Sequence, residues 1–273
     1  MLSTDPLWPR AGSWPAPDGR ADIALVGIPT WRRSLSATQA HTTPAAVRAA
    51  LRRYSLETTL RIVDAGDAVE PDGTDAAAFV SSINAALVVA LGGDNSATVP
   101  VATGRGARGL VTVDAHHDLR DGVSNGSPVR QLVAAGLDGA RIVQVGIEPF
   151  ANSRAYAQRA ADLGVTVITR DELRRRPIAD VMAEAIEIAG TDVHVDLDVD
   201  VCDRAVAPAC PASVPGGISA IELREAARVA GAHRSVTSID LVEVDATVDA
   251  PDERTVRLVA LCLLEAIRGF ERR

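Results

Sequence analysis

Residues 109–118 read Gly-Leu-Val-Thr-Val-Asp-Ala-His-His-Asp, an uncharged run that stops abruptly at acids and histidines. Its first five residues do not alternate between apolar and charged types, which is typical of a strand buried on both faces in a parallel sheet. Seven further short apolar runs lie along the chain. They predict strands at 22–28, 61–65, 86–91, 141–146, 165–169, 192–199 and 236–244.

Alanine-rich stretches with helical spacing separate most of these runs. They predict helices at 44–53, 74–85, 128–136, 178–189 and 219–231, with a closing amphipathic helix at 251–270. Because strands and helices alternate, the 273 residues predict an α/β fold: a single three-layer α/β/α domain with a mostly parallel eight-stranded sheet. We expect this domain to span 21–273 and to follow an N-terminal extension at 1–20.

The composition excludes several classes of function. All 28 basic residues are arginine, so lysine Schiff bases, pyridoxal-phosphate chemistry and the lysine-containing phosphate loop are excluded. The 36 acidic residues give a net charge of −8, which argues against nucleic-acid or membrane partners and favours a small cationic substrate. The three cysteines lack zinc-site spacing and the chain start lacks a signal-like pattern, so we expect a cytoplasmic protein.

Two predicted strands end in groups that can bind a cation. Asp114, His116 and Asp118 occupy alternate positions after the strand at 109–113, so they face one way on an extended chain. The strand at 192–199 is predicted to place a second set on one face: His194, Asp196, Asp198 and Asp200. Buried carboxylates need neutralising, and carboxylates with some imidazole suit manganese better than zinc. We therefore predict a centre for one or two divalent ions at the carboxyl edge of the sheet.

Two other strand ends carry weaker signals. Asn95 lies just after Gly92 and Gly93, in a segment whose neighbouring Asp94 or Ser96 is expected to cap a helix. Glu243 is predicted to lie late in the last strand, where a carboxylate can pair with a cationic substrate. His117 faces away from Asp114 and Asp118, so a structural role is favoured for it.

These motifs, in this order, resemble the ureohydrolase family of arginase, agmatinase and formimidoylglutamase. The matching segments are Gly-Gly-Asp-Asn-Ser (92–96), Asp-Ala-His-His-Asp (114–118), Asp-Val-Asp (198–200), Val-Pro-Gly-Gly (214–217) and Asp-Leu-Val-Glu-Val (240–244). The resemblance covers residues 20–270. It implies an arginase-like sheet, a two-manganese centre, and hydrolysis of a guanidino or formimidoyl carbon.

The resemblance also implies roles for individual residues. Asp114 and Asp198 resemble the bridging carboxylates, His116 and Asp200 the ligands of one ion, and Asp118 a ligand of the other. Asp118 would also orient the attacking hydroxide, and Glu243 would hold the guanidinium. Arg120 lies where the family contacts the distal part of its substrate, and an arginine matches a free carboxylate there.

Two positions depart from the family pattern. Asn95 stands where a histidine ligand is usual, and an amide oxygen is a poorer donor to a transition metal, so we expect a weak or absent ligand. Asn125 stands where arginases carry a histidine that shuttles protons, and an asparagine cannot titrate. We place Asn125 in the substrate site with Arg120 and Glu243.

Without a histidine to shuttle protons at position 125, the enzyme is expected to prefer a substrate whose guanidine is less basic than that of arginine, because such a guanidine needs less help from a proton shuttle. We therefore expect an amidinohydrolase acting on a guanidino amino acid, with Nω-hydroxy-L-arginine cleaved to hydroxyurea and L-ornithine, as in antibiotic biosynthesis. Formimidoylglutamase is the alternative of the same class. A metal-poor homologue that binds a guanidino ligand without hydrolysing it is the alternative of another class. The sequence leaves assembly into a homo-oligomer open.

Overall fold

The computed structural model describes residues 5–73 and 75–273 and contains all eight expected strands. They are β1 (Ala21–Ile28), β2 (Ile62–Asp67), β3 (Ala85–Gly92), β4 (Gly109–Val113), β5 (Ile142–Ile147), β6 (Thr166–Thr169), β7 (Val193–Asp198) and β8 (Val236–Val242). β8 ends before Glu243, which was expected inside the strand. Glu243 adopts a left-handed backbone conformation, with φ of 63°, and this conformation cannot continue a strand.

The strands form one fully parallel sheet in the order β2-β1-β3-β8-β7-β4-β5-β6. The chain builds β1 to β3 at one side, crosses to β4, continues to β6, and then fills the centre with β7 and β8. The four central strands are therefore β3, β8, β7 and β4. A parallel sheet brings their carboxyl ends to one edge, where ligands bind in open α/β folds.

Nine helices are present in the described part of the chain. They are α1 (Thr43–Leu51), α2 (Ala76–Ser81), α3 (Thr98–Gly104), α4 (Pro128–Ala134), α5 (Arg154–Asp162), α6 (Arg170–Leu173), α7 (Ile178–Ala189), α8 (Ala220–Ala232) and α9 (Arg254–Phe270). Helices were not predicted at α3, α5 or α6. α3 contains a proline and β-branched residues, and α5 has a mostly polar sequence, so neither shows a clear apolar stripe.

The predicted boundaries differ from the observed ones by three or more residues at two helices, at the end of α2, which stops at Ser81 instead of 85, and at the start of α9; at α1, α4 and α8 the difference is one or two residues. α2 starts at Ala76, where Asp75 accepts a hydrogen bond from the Ala78 amide, and the predicted start at position 74 lies outside the described residues. α9 begins at Arg254 instead of 251. The side chain of Asp249 accepts bonds from the amides of Thr255 and Val256, at 3.3 and 2.9 Å, and so caps the helix from the preceding loop.

The helices cover both faces of the sheet and make the expected three layers. One face carries the largest apolar cluster, to which α1, α7, α8 and α9 contribute, and the other face packs α2, α3, α4 and α5. α8 and α9 approach closely at Gly231, where an added Cβ would lie 2.1 Å from the Ala266 carbonyl oxygen. The described part of the stretch expected as an N-terminal extension contacts the domain at Ala11, which is buried and whose amide donates to the Tyr54 carbonyl.

Within the described residues, no helix is both long enough and apolar enough to cross a membrane.

Candidate metal centre and substrate cavity

The first group of predicted ligands lies in the loop after β4, at residues 114–118, which we call the first ligand loop. Asp114 has no exposed surface, and its Oδ1 accepts a 2.6 Å bond from the His116 amide. This bond turns the chain so that the His116 ring approaches Asp114. Asp118 adopts φ of 53°, a left-handed conformation that non-glycine residues rarely use and that is often found at functional sites.

The second group lies at the end of β7, at residues 198–201, which we call the second ligand turn. The chain forms a single turn of 3₁₀ helix at Val199–Val201, and the side chain of Asp198 caps it by accepting a 2.8 Å bond from the Asp200 amide. β7 pairs directly with β4. The second ligand turn therefore lies beside the first ligand loop.

The structure brings three of the predicted ligands together. The Nδ1 atom of His116 lies 3.0 Å from Oδ2 of Asp200 and 3.4 Å from Oδ1 of Asp114. One ligand atom from each of the three residues lies within 4.8 Å of the others. Neighbouring ligand atoms of an octahedral ion with bonds of about 2.1 Å stand about 3 Å apart, so this spacing suits a single divalent cation.

The charges of this cluster favour a bound cation. Burial and the nearby Asp200 carboxylate raise the pKa of Asp114 to about 6, and burial raises the pKa of Asp118 and of Asp198 well above the ordinary value. Burial alone would lower the pKa of His116, but Asp200 and Asp114 outweigh it and raise that pKa to about 12. The group of acids therefore attracts positive charge strongly.

A divalent metal ion fits these residues. Oδ2 of Asp114 is fully buried and has no hydrogen-bond partner among the described residues, which is costly for an acceptor unless a cation meets it. The donor set is carboxylate oxygen and one imidazole nitrogen, which suits manganese. Asp114, His116 and Asp200 would hold one ion. Asp198 and Asp118 are the carboxylates available to a second.

Asn95 lies beside this cluster but does not direct its oxygen toward it. Its Nδ2 donates a 2.5 Å bond to Oδ2 of Asp118, and its Oδ1 accepts a 2.7 Å bond from the Thr98 hydroxyl. The orientation agrees with the expectation of a weak or absent ligand, which stays a prediction.

Glu243 faces the ligands from the end of β8 and is tied to two other segments. Its Oε2 accepts a 2.9 Å bond from the Asn95 amide, and both carboxylate oxygens lie 3.1 Å from Nδ2 of Asn125. Asn125 is itself fixed, because its Oδ1 accepts a bond from the Leu35 amide. Burial raises the pKa of Glu243 to about 8. Asn125 therefore donates to the Glu243 carboxylate and holds it in place. The sequence spacing did not predict this contact.

A cavity of about 380 Å³ joins these groups to solvent. Arg120 lies at its mouth, is exposed, and makes no side-chain hydrogen bond or ion pair within residues 5–73 and 75–273. Its guanidinium is therefore available to a ligand. The lining also includes residues not singled out from the sequence, among them Leu35, Asn152, Ser153, Tyr156 and Ala212.

His194 and Asp196 do not reach the ligand edge, although the sequence pattern placed them on one face with Asp198 and Asp200. The His194 ring contacts Ser238, at 2.9 Å, and Asp240, at 3.2 Å, in the middle of β8. Asp196 pairs in register with Asp240 and is fully buried. The two-residue alternation of a strand predicts on which face a side chain lies, but not how far along the strand it is from the ligand edge. Asp196 comes two residues before Asp198, and His194 comes four residues before it, so both lie inside the sheet.

His117 has the structural role expected of it. Its Nδ1 lies 2.7 Å from Oε1 of Gln144 on β5, and its amide donates to Oδ1 of Asn152. Nδ2 of Asn152 donates in turn to the carbonyl of Ala115, at 2.8 Å. Gln144 and Asn152 thus fix the back of the first ligand loop, and no motif in the sequence marked them.

An open parallel sheet with a cavity and an acidic cluster that fits a divalent cation at its carboxyl edge suits metal-assisted hydrolysis. The arginase-family model matches residues 21–268, and the chain belongs to the arginase family of hydrolases. A formimidoylglutamase of Bacillus subtilis (strain 168) is 33% identical over 279 residues, covering 91% of this chain and 87% of that protein.

Two solved structures agree with this assignment. The crystal structure of formimidoylglutamase from Bacillus subtilis subsp. subtilis str. 168 has a TM-score of 0.90 and 27% identity, covering 99% of this chain and 95% of the other. The crystal structure of Trypanosoma cruzi formiminoglutamase with Mn²⁺ has a TM-score of 0.87 and 25% identity, covering 97% of this chain and 99% of the other. The predicted family and fold are therefore confirmed.

Proposed function

We propose that this chain is a manganese-dependent formimidoylglutamase, which hydrolyses N-formimidoyl-L-glutamate to formamide and L-glutamate. The observation that carries the proposal is one cavity whose lining includes both candidate metal ligands, such as Asp118 and Asp200, and Glu243. The sequence analysis preferred Nω-hydroxy-L-arginine. The similarity to formimidoylglutamases over nine-tenths of the chain favours the formimidoyl alternative.

Glu243 is placed to hold the cationic end of the substrate. The formimidoyl group is an amidine, planar and positively charged at neutral pH, and a carboxylate can accept bonds from its N–H groups. The amide of Asn95 and the side chain of Asn125 hold the Glu243 carboxylate at the cavity wall. A carboxylate fixed before binding loses little rotational freedom when the amidinium arrives.

Asp118 is placed to handle the proton of the attacking water. A divalent metal bound to the acidic cluster supplies Lewis-acid activation of that water. Asn95 occupies Oδ2 of Asp118, so Oδ1 is left without a protein partner within the described residues. We assign this oxygen to the proton of the water, and this role replaces the expected one as a ligand of the second ion. Asn125 cannot titrate, so we assign to Asp118 the delivery of a proton to the departing glutamate nitrogen.

Arg120 supplies positive charge at the cavity mouth for a substrate carboxylate. N-formimidoyl-L-glutamate carries two carboxylates, and a guanidinium matches a carboxylate with two parallel hydrogen bonds. This contact requires that the amidine end lies against Glu243 and the carboxylate end toward solvent.

A comparison of products tests the proposal. The manganese-loaded protein should release formamide and glutamate from N-formimidoyl-L-glutamate with a higher kcat/KM than for release of ornithine from Nω-hydroxy-L-arginine or L-arginine. Release of hydroxyurea as the preferred reaction would replace the proposal with the amidinohydrolase alternative. Binding of either compound without products would favour the non-hydrolysing homologue.

A variant at the cavity mouth tests the orientation of the substrate. Arg120→Gln should raise KM for formimidoylglutamate about tenfold, equivalent to about 1.5 kcal/mol for a charge-assisted hydrogen bond. Arg154→Gln is the matched control, because Arg154 is exposed at the start of α5 and does not line the cavity. Equal KM values for the two variants would show that Arg120 does not contact substrate.

A further inference from the structure

The two segments that carry the candidate ligands meet behind the cavity at the end of β5. The Asp114 amide donates to the Val145 carbonyl at 2.9 Å, and the Glu148 amide donates to the Ala115 carbonyl at 3.0 Å. Gly146 leaves no room for a side chain, since an added Cβ would lie 2.6 Å from the Val201 side chain and 3.3 Å from the Asp114 carbonyl. The end of β5 therefore touches both the first ligand loop and the second ligand turn.

Arg170 connects the same two segments through its side chain. Its Nη2 donates a 3.1 Å bond to the carbonyl of Val201 in the second ligand turn, and its Nη1 lies 3.2 Å from Oε2 of Glu148. Because the Glu148 amide holds Ala115, one continuous chain of hydrogen bonds runs from the second ligand turn to the first ligand loop. The Val201 carbonyl also accepts from Ile218, so Arg170 supplies its second partner.

The surroundings of Arg170 fix its side chain. Only 5% of the residue is exposed, and the side chain of Glu148 is 17% exposed, so the ion pair is largely removed from water. The backbone is fixed as well, because Thr169 and Glu172 form a capping box at the start of α6. The guanidinium therefore extends from a rigid position at the edge of the sheet.

Net stability alone is a weak reason for this ion pair. The desolvation penalty of a buried ion pair offsets most of its attraction, and an apolar pair of similar volume often serves stability equally well. An arginine at the first position of a helix also opposes the preference for acids there. A geometric role explains the arrangement better, because ligand atoms must keep their spacing within tenths of an ångström to hold a metal.

We propose that Arg170 and Glu148 are positioning residues that hold the second ligand turn in register with the first ligand loop. Neither residue lines the cavity or hydrogen-bonds a ligand side chain within the described residues, and they act through the backbone of Val201 and Ala115. The inference rests on the proposed metal centre. It predicts that their loss loosens metal binding beyond any general loss of stability.

Manganese titration of chelator-treated protein tests this, with free Mn²⁺ followed by electron paramagnetic resonance and folding by the metal-free Tm. Arg170→Met removes the charge and both donors at similar length and should weaken Mn²⁺ affinity about tenfold or more. Arg170→Lys keeps the charge and one donor and should recover part of the affinity. Arg224→Met is the matched control, because Arg224 pairs with Glu265 between α8 and α9, at 2.7 Å, and lies outside the cavity lining.

The control variant should lower the Tm while Mn²⁺ affinity stays at the unmodified value. Equal Mn²⁺ affinity in Arg170→Met and the unmodified protein would overturn the inference. If Arg170→Met does not fold, Glu148→Gln decides the question: a loss of affinity of about threefold or more supports the inference, and unchanged affinity overturns it. Absence of Mn²⁺ binding in the unmodified protein would remove the metal centre and the inference together. Tight Mn²⁺ binding without formimidoylglutamate hydrolysis would contradict only the proposed function.

Discussion

Glu243→Gln should be the most informative single change in the cavity. The substitution keeps the shape of the side chain but removes the charge that we assign to the substrate amidinium. It also turns one carboxylate oxygen into an amide donor that faces Nδ2 of Asn125, 3.1 Å away. Asn125 cannot easily rotate, because its Oδ1 accepts the Leu35 amide at 2.9 Å. Two donors would therefore meet in a buried site.

The size of the effect follows from these contacts. Removal of one partner from a buried charge pair costs about 3–5 kcal/mol. At about 1.4 kcal/mol per tenfold change, kcat/KM for formimidoylglutamate should fall by at least about 10²-fold. The facing donors add about 1–3 kcal/mol of destabilisation to the folded protein, which should appear as a lower Tm.

Steady-state kinetics of the manganese-loaded variant would measure the first effect and thermal unfolding the second. Asp245→Asn is the matched control: Asp245 is also buried just after β8, but its carboxylate caps the segment at Thr38 and Gln39 and lies outside the cavity lining. The control should lose stability and keep kcat/KM. A Glu243→Gln enzyme with kcat/KM within twofold of the unmodified protein would refute the role of Glu243 as the cation's partner.

Three further predictions concern the metal centre. Asp198→Asn keeps the acceptor for the Asp200 amide but removes a predicted bridging charge, so hydrolysis should fall by about 10²-fold or more with the fold retained, as circular dichroism would check. Asn95→His should tighten the weaker of two unequal Mn²⁺ binding phases, whereas two equal tight sites in the unmodified protein would contradict the argument from ligand type. Burial raises the pKa of Asp114 to about 6 and of Glu243 to about 8, above unfolded values of about 4, so the folded state binds more protons. Their stabilising contribution is present at low pH and is lost as the pH rises through the folded pKa values, so the Tm of chelator-treated protein should decline from pH 5 to 8, and a rising Tm would contradict the assignment.

The sequence alone determined the sheet and the candidate ligands. Burial of a strand on both faces leaves a local signature, a short run rich in apolar and β-branched residues, and all eight strands were predicted from such runs, although polar residues interrupt some of them, as in β7. In a parallel sheet every carboxyl end lies at the same edge, so acids at strand ends such as Asp114 and Asp198 could be predicted to gather there before any contact was known. The sequence also showed that Asn95 and Asn125 depart from the family pattern.

Only the tertiary structure decided how these residues meet. The alternation of a strand does not encode depth, so Asp196 and Asp198 looked equivalent, although Asp196 lies in register with Asp240 in the buried middle of the sheet. Asn125 and Glu243 are 118 residues apart, and Arg170 and Val201 are 31 apart. Their contacts depend on the strand order and on loops whose backbone bends are set by distant partners. Such contacts arise from packing between segments, and neither periodicity nor residue type at one position can specify them.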